Sequence, residues 1–268
     1  AYDYERRYPH LFTVIHKDNN GYGSSINMAI NRASGLYLRI LDADDLVEPI
    51  ALSQLVLALE NLETDLVLMS YRKFDDKTGA ETFFSSAPDT WESGEVHDDF
   101  TEETCPVPQL HGTVFRVGFL REAHIQLIEN TYYVDEQLMI LSYIFARTAC
   151  KLDIDVYRYR IGNASQSISA YSMGVRWQDR ERVIRSCLEY HQNALHSGIA
   201  RRTCISQLTE NVGNHFSTLF MYVKPRWFGR KLANDWKYYL ARTTPEYLRL
   251  VLPKIRYLSL LNLLHVSP

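Results

Sequence analysis

Apolar and polar positions along the chain fall into two rhythms. Short continuous apolar runs occur at Leu11-Phe12-Thr13-Val14-Ile15, at Leu36 to Leu41 and at Leu66-Val67-Leu68-Met69. Bounded by polar and turn-forming residues, each predicts a strand, the last two of them buried. Between and after them the spacing changes to that of helices. Ile26 to Ala33 predicts a short helix, capped by Ser24 or Ser25 and ended by Gly35. Leu52, Leu55, Val56 and Leu59 form one apolar stripe behind Pro49. Phe74 to Phe84 predicts a hairpin turning at Asp76-Lys77-Thr78-Gly79. His111 to Arg116 predicts a strand, Phe119 to Leu127 a helix, and Tyr132 to Gln137 the entry to an apolar helix through Phe145. Lys151 to Tyr159 alternates Leu152, Ile154 and Val156 with Asp153 and Asp155, which predicts a half-exposed strand. From about Val175 to the end the pattern is helical, over Val175–Leu195, Ser206–Tyr222, Arg230–Leu240 and Pro245 onward.

Strands alternating with helices and then giving way to helices predict an α/β fold with a helical C-terminal region. The boundary is placed at residue 170, giving an α/β unit over 1–170 and helices over 171–268. A chain of 268 residues, 46% hydrophobic and 23% charged, can bury a sizeable core. No apolar run is long enough to span a bilayer and no signal-peptide pattern opens the chain. Cys105, Cys150, Cys187 and Cys204 are widely spaced, so they read as free thiols of a reducing cytoplasm. Asn163-Ala164-Ser165 is then a chance match to the glycosylation sequon. From Ser85 to Pro108 the chain is rich in acid, proline and serine and reads as a loop on the substrate side.

The candidate chemistry lies where the run Leu36 to Leu41 stops at Asp42-Ala43-Asp44-Asp45. A buried strand ending in acid delivers charge to the carboxyl edge of its sheet, where open α/β folds bind ligands. Clustered carboxylates repel unless a cation sits between them, and oxygen ligands suit Mg2+ or Mn2+. The alternative is a plain acidic turn capping the next helix. Asp153-Ile154-Asp155 has the same spacing inside an alternating strand, where a solvated edge explains it better. Asp75-Asp76 and Asp98-Asp99 have no strand feeding them.

Asn19-Asn20-Gly21-Tyr22-Gly23, a short helix, Ala33-Ser34-Gly35, a strand and Asp42-Ala43-Asp44-Asp45 follow in an order that resembles the family 2 glycosyltransferases. The resemblance runs from about Phe12 to Glu48, and more loosely to Ser169. It implies the GT-A fold, a Rossmann-like mixed sheet flanked by helices, and transfer of a sugar from a nucleotide-diphosphate-sugar donor to an acceptor hydroxyl, usually with inversion. Carried over residue by residue, Asp44 is the main ligand of Mn2+ or Mg2+. Asp42 is its donor-side partner, and Asp45 orients the loop. Asn19, Gly21 and Gly23 lie beside the donor, where a side chain would obstruct the nucleotide. The family's base, usually the Asp of a Glu-Asp pair opening a helix, matches Asp135 with Val134 in place of the first acid and Glu136 as rival. Arg158 or Arg160, with Gln166 and Ser167, would close over the donor diphosphate. His111 reads as a hydrogen-bonded structural histidine or a residue of the acceptor side. Relatives open with two further strands that grip the base, so by resemblance this chain lacks about the first two βα units.

The net charge of −3 conceals an asymmetry. Residues 224–268 hold nine Lys or Arg against Asp235 and Glu246, a net +7, which leaves −10 for the rest. In Val223 to Lys231 basic and aromatic residues interleave, and Leu258 to Leu264 is apolar. An acidic body with such a tail predicts an anionic surface as partner, and peripheral contact with the inner face of the membrane fits a lipid-linked acceptor. A glycan acceptor is the other expectation, and nothing points to nucleic acid. Two further function classes share these features: a nucleotidyltransferase of the same fold, and a non-catalytic sugar- or lipid-binding relative.

Overall fold

The computed structural model describes residues 1–161, 170–198 and 200–266. The chain opens with a short helix α1 (Tyr2–Arg7), then α2 (Gly21–Arg32), strands β1 (Tyr37–Leu38) and β2 (Leu46–Val47), and helix α3 (Pro49–Leu59). A hairpin follows, β3 (Leu66–Asp75) and β4 (Glu81–Ser85), then β5 (Val96–His97) and β6 (Thr113–Arg116). Helices α4 (Val117–Glu122) and α5 (Val134–Phe145) lead to β7 (Ala149–Ile161). The rest is helical: α6 (Ala170–Val175), α7 (Trp177–His196), α8 (Ile205–Ser217) running into a π turn at Thr218–Tyr222, α9 (Arg226–Thr243) and α10 (Pro245–Leu263).

The sheet is mixed, in the order β1-β6-β3-β7-β2. Its centre is the parallel pair β3/β7, from Leu66 opposite Ala149 to Asp75 opposite Ile161, with the register shifting on either side of Ser70. The first half of β3 pairs antiparallel with β6 and its second half with β4, so the hairpin continues the sheet past β6. Leu66, Val67, Leu68 and Met69 are buried between helices on both faces. Burial of each such side chain contributes about 1.5–3 kcal/mol.

Two buried polar knots fasten this sheet to the rest. Asp65 accepts hydrogen bonds from Arg116 Nη2 (2.6 Å) and Nε (3.1 Å) through one oxygen, and from the Arg147 amide (2.6 Å) through the other. The buried Arg202 donates to the carbonyls of Phe100, Asp98, Ala146 and Arg147, tying the segment before α8 to the sheet side. One apolar core runs from Ile26 through α5 to Val251 and Leu258 of α10. All four cysteines are free and buried.

Several elements depart from the sequence expectation. Phe12 to Ile15 is not a strand, because a strand forms only where a neighbour takes its backbone bonds. Here the Val14 amide donates to the Glu5 carboxylate and Leu11 is 79% exposed. Leu36 to Leu41 is not a buried parallel strand either. Only Tyr37 and Leu38 pair, antiparallel to β6, and Leu36 and Leu41 are exposed. Helix α2 starts at Gly21, not after the serines. Helix α3 buries Ala51 and Leu55, while Leu52 and Val56 face outward. Its cap is Glu48, whose carboxylate accepts from the Ala51 amide at 2.6 Å. Strand β7 lies inside the sheet, and Asp155 is not solvated but paired with Arg72 (2.5 Å) and Arg158 (2.6 Å). The Ser85–Pro108 segment is partly core, burying Trp91, Phe100 and Cys105.

Candidate active site

A cleft of about 710 Å³ opens between the start of α2, the acidic turn after β1, the turn before β6 and the start of α5. Asn19, Gly21, Tyr22 and Asp42, with His111 and Tyr159, line one side; Leu110 and Asn130 to Asp135 line the other.

The acidic turn folds back on itself, with the Asp45 amide donating to the Asp42 carbonyl at 3.1 Å. That reversal sends Asp44 outward and Asp45 inward. Tyr157 ties both ends: its hydroxyl donates to Asp45 at 2.6 Å and accepts from the Asp42 amide at 3.2 Å. The other Asp45 oxygen accepts from the Arg160 amide at 2.8 Å. Ligand atoms of Asp42, Asp45 and His111 lie within 4.8 Å of one another. Burial raises the Asp42 and Asp45 carboxyls above their ordinary range; the Tyr22 and Tyr157 hydroxyls partly offset this, and the neighbouring acids add to it.

Burial, then Lys73 and Arg39, push the His111 imidazole down to about 4. It is therefore neutral near pH 7, the state in which imidazole binds a metal. It stacks on Tyr159 at 4.2 Å, and Arg39 donates to its carbonyl at 2.7 Å. Two compressed carboxylates beside a neutral imidazole are a donor set that fits a divalent cation. The expected ligand pair Asp42/Asp44 is thus not the one brought together. Asp45 and His111 join Asp42, because the direction of the turn decides which acid faces inward.

On the opposite wall Asp135 and Glu136 open α5. Burial raises the Asp135 carboxyl, its own helix amides lower it, and Asp42 raises it. Glu136 is pushed up to about 7 by burial, against the pull of Arg180. The segment before them is wound unusually, with Asn130 and Tyr133 both in the left-handed region, at φ 52° and 66°. Three arginines of the α6–α7 stretch hold it. Arg176 lies 3.5 Å over the Tyr132 ring. Arg180 lies 4.5 Å over the Tyr133 ring and pairs with Glu136 at 3.2 Å, and Arg182 donates to the Asn130 carbonyl at 3.2 Å. Gln137, fully buried, accepts from the Ile128 amide and donates to Ser186, both at 3.0 Å.

Both glycines pack against this wall. Gly21 has φ +80°, and a Cβ on it would come 3.1 Å from the Asn130 amide. A Cβ on Gly23 would meet the Ile128 carbonyl at 2.3 Å. Gly21 and Asn19 do border the cleft; Gly23 does not, because α2 packs backbone to backbone there. Arg158 is also displaced from its expected place. Strand alternation sends Tyr157 and Tyr159 to the cleft side, while Arg158 binds the Asp155 carboxylate and carbonyl. Arg160 donates to the Asp44 carbonyl at 2.7 Å and pairs with Asp76. Gln166 and Ser167 lie outside the described residues. Sequence reasoning undervalued His111; its place just before a strand is the only signal, since its neighbours Asp42 and Tyr159 are far away in the chain.

Residues 1–124 match the family described as Glycosyl transferase family 2. Among similar proteins, the putative glycosyltransferase EpsH of Bacillus subtilis is 28% identical over 162 residues, 56% of this chain and 44% of that protein. The uncharacterized glycosyltransferase MJ1057 of Methanocaldococcus jannaschii is 34% identical over 77 residues, 29% of this chain and 27% of that protein. The chain thus spans less than half the length of these curated relatives. Among solved structures, S. aureus TarS 1-349 in complex with UDP-GlcNAc aligns with a TM-score of 0.57 at 15% identity, covering 97% of this chain and 72% of that 1-349 chain, which is a likeness of fold. Residues 1–124, a little under half of the chain, are thus similar to glycosyl transferase family 2.

Proposed function

We propose that the protein transfers a sugar from a nucleotide-diphosphate donor to an acceptor hydroxyl, with inversion at the anomeric carbon. The observation that carries this reading is one cleft lined both by the Asp42–His111 cluster and by Asp135. Inverting transfer needs charge stabilisation at the leaving group and a base on the opposite face of the sugar. The two walls supply one each.

On the donor wall, Asp42 and His111 would hold Mn2+ or Mg2+, with Asp45 closing the set from its anchorage on Tyr157. When bound, the cation supplies Lewis-acid stabilisation of the diphosphate leaving group. Asn19 and Gly21 border the same wall, where the nucleotide would lie. On the other wall Asp135 accepts the proton of the attacking hydroxyl. It sits in the first turn of α5, whose dipole favours the carboxylate. Tyr132, exposed at the cleft, would present aromatic surface to the sugar rings. A glycan or lipid-linked acceptor, and a product in bacterial cell-surface polysaccharide or glycolipid, fit an open cleft of this kind and the basic C-terminal region.

The test is a screen of nucleotide sugars with Mn2+, following binding calorimetrically and release of nucleoside diphosphate. UDP-GlcNAc comes first, since TarS binds it. We expect Mn2+-dependent release that falls by about 10²–10³ in Asp42→Asn. Metal affinity should drop by about 10–100-fold in His111→Ala, with the melting temperature little changed. Failure of every nucleotide sugar to bind, or turnover unaffected by EDTA, would overturn the reading.

A further inference from the structure

The C-terminal pair of helices carries a surface that the cleft does not use. Helix α10 buries Tyr247, Val251, Ile255, Leu258 and Asn262 against the body of the protein. The face turned away from them holds Leu250, Pro253, Tyr257, Leu260, Leu263 and Leu264, all exposed. A solvated helix normally places polar residues there. Arg249 and Arg256 sit on this same face, while Lys254 is turned back to Asn214 at 2.9 Å. Beside it a groove of about 370 Å³ runs between α9 and α10. Arg230 and Lys237 line its α9 wall, Arg256 its α10 wall, and Phe220, Ile255 and Leu260 its apolar part. The two helices together hold eight Lys or Arg against Asp235 and Glu246. Among the described residues no helix is long and apolar enough to cross a membrane.

We propose that this face is a docking surface for an anionic lipid bilayer. In this arrangement α10 lies in the plane of the headgroups, its leucines reach the acyl boundary, and lipid phosphates enter the groove between Lys237, Arg230 and Arg256. Exposed apolar residues flanked by cations on one helix are the pattern of an interfacial helix. The charge complementarity selects an anionic lipid surface over a second copy of this chain, since two such faces would bring like charges together. Tyr257 and Trp227, both 62% exposed, suit the headgroup level. The proposal deepens the reading of a transferase with a lipid-linked acceptor, but it concerns binding alone.

The test is co-sedimentation of the protein with phosphatidylcholine vesicles, with and without phosphatidylglycerol. Binding to the anionic vesicles is expected, and it should be lost at roughly 1 M salt, where the Debye length is about 3 Å. Each cation removed near the surface should weaken it about fivefold, so Lys237→Gln with Arg256→Gln should lose on the order of 25-fold. Leu260→Asn with Leu264→Asn should weaken it further, without altering the melting temperature of these exposed positions. Binding that ignores salt and both pairs of substitutions would overturn the proposal, as would no binding at all. So would a dimer in light scattering that Leu260→Asn dissolves. None of these readouts involves sugar transfer, so failure here leaves the catalytic reading standing, and failure of transfer leaves this one.

Discussion

The two walls of the cleft are built on different principles. The wall around Asp135 is held by packing. Val134 and Leu138 to Ile144 are buried without exception, Gln137 is fully bonded, and three arginines grip the strained turn in front. The wall around Asp42 is held by a few polar bonds. Its acidic turn hangs on Tyr157 and Arg160, and the chain before α2 crosses the surface with Leu11, Phe12 and Ile15 exposed. In the proposed transfer the base, Asp135, must be in position before the hydroxyl arrives, so rigid packing would serve it. A cluster of like charges would be relieved by the cation proposed there, so some freedom would cost it little.

The sharpest way to break the comparison is at the base. Asp135→Asn keeps shape and hydrogen bonding but takes no proton, so transfer should fall by about 10²–10⁴ with donor affinity nearly unchanged. Glu136→Gln should be mild beside it. Steady-state transfer and donor calorimetry check both. The reverse ranking would make Glu136 the base, and two active mutants would leave only a structural role for this turn.

A smaller effect is expected at the brace. Arg180 lowers the pKa of both Asp135 and Glu136, whereas burial, and Asp42 in the case of Asp135, raise them. The base acts ionised, so activity rises with pH through a limb above the ordinary carboxylate range. Arg180→Met removes the cation, raises that pKa further and should move the limb to higher pH, with about a tenfold loss below it. Arg180→Lys should restore the limb more than the rate, because it keeps the charge and loses the stacking on Tyr133. A uniform loss at all pH values would mean that Arg180 only supports the fold.

The smallest expected effect concerns stability. A Cβ at Gly23 would fall 2.3 Å from the Ile128 carbonyl, so Gly23→Ala must push α2 off the Asp135 wall. Overpacking of this kind costs about 1–3 kcal/mol. Thermal melting and nucleotide affinity measured together sharpen the contrast: melting should drop, and binding should weaken with it, since Gly21 and Tyr22 of the same helix line the cleft.

Much of this protein is legible in its residues in order. The α/β succession, the β3–β4 hairpin, the start of α5 at Val134, and the C-terminal helices all follow from local spacing, because each is stabilised by neighbours in sequence. The Asn-x-Gly-x-Gly and Asp-Ala-Asp-Asp stretches carry the family resemblance for the same reason. Tertiary structure decided the rest. Whether Leu36 to Leu41 becomes a strand depends on a partner chain segment, and only Arg116 and Phe115 offer one. Whether Asp44 or Asp45 turns inward depends on the pull of Tyr157, more than a hundred residues away. His111 joins the acids, and Arg158 leaves the cleft, through the alternation of a strand whose register is set by β3. Periodicity names the face a residue takes relative to its neighbours, but contacts between distant segments decide what that face meets.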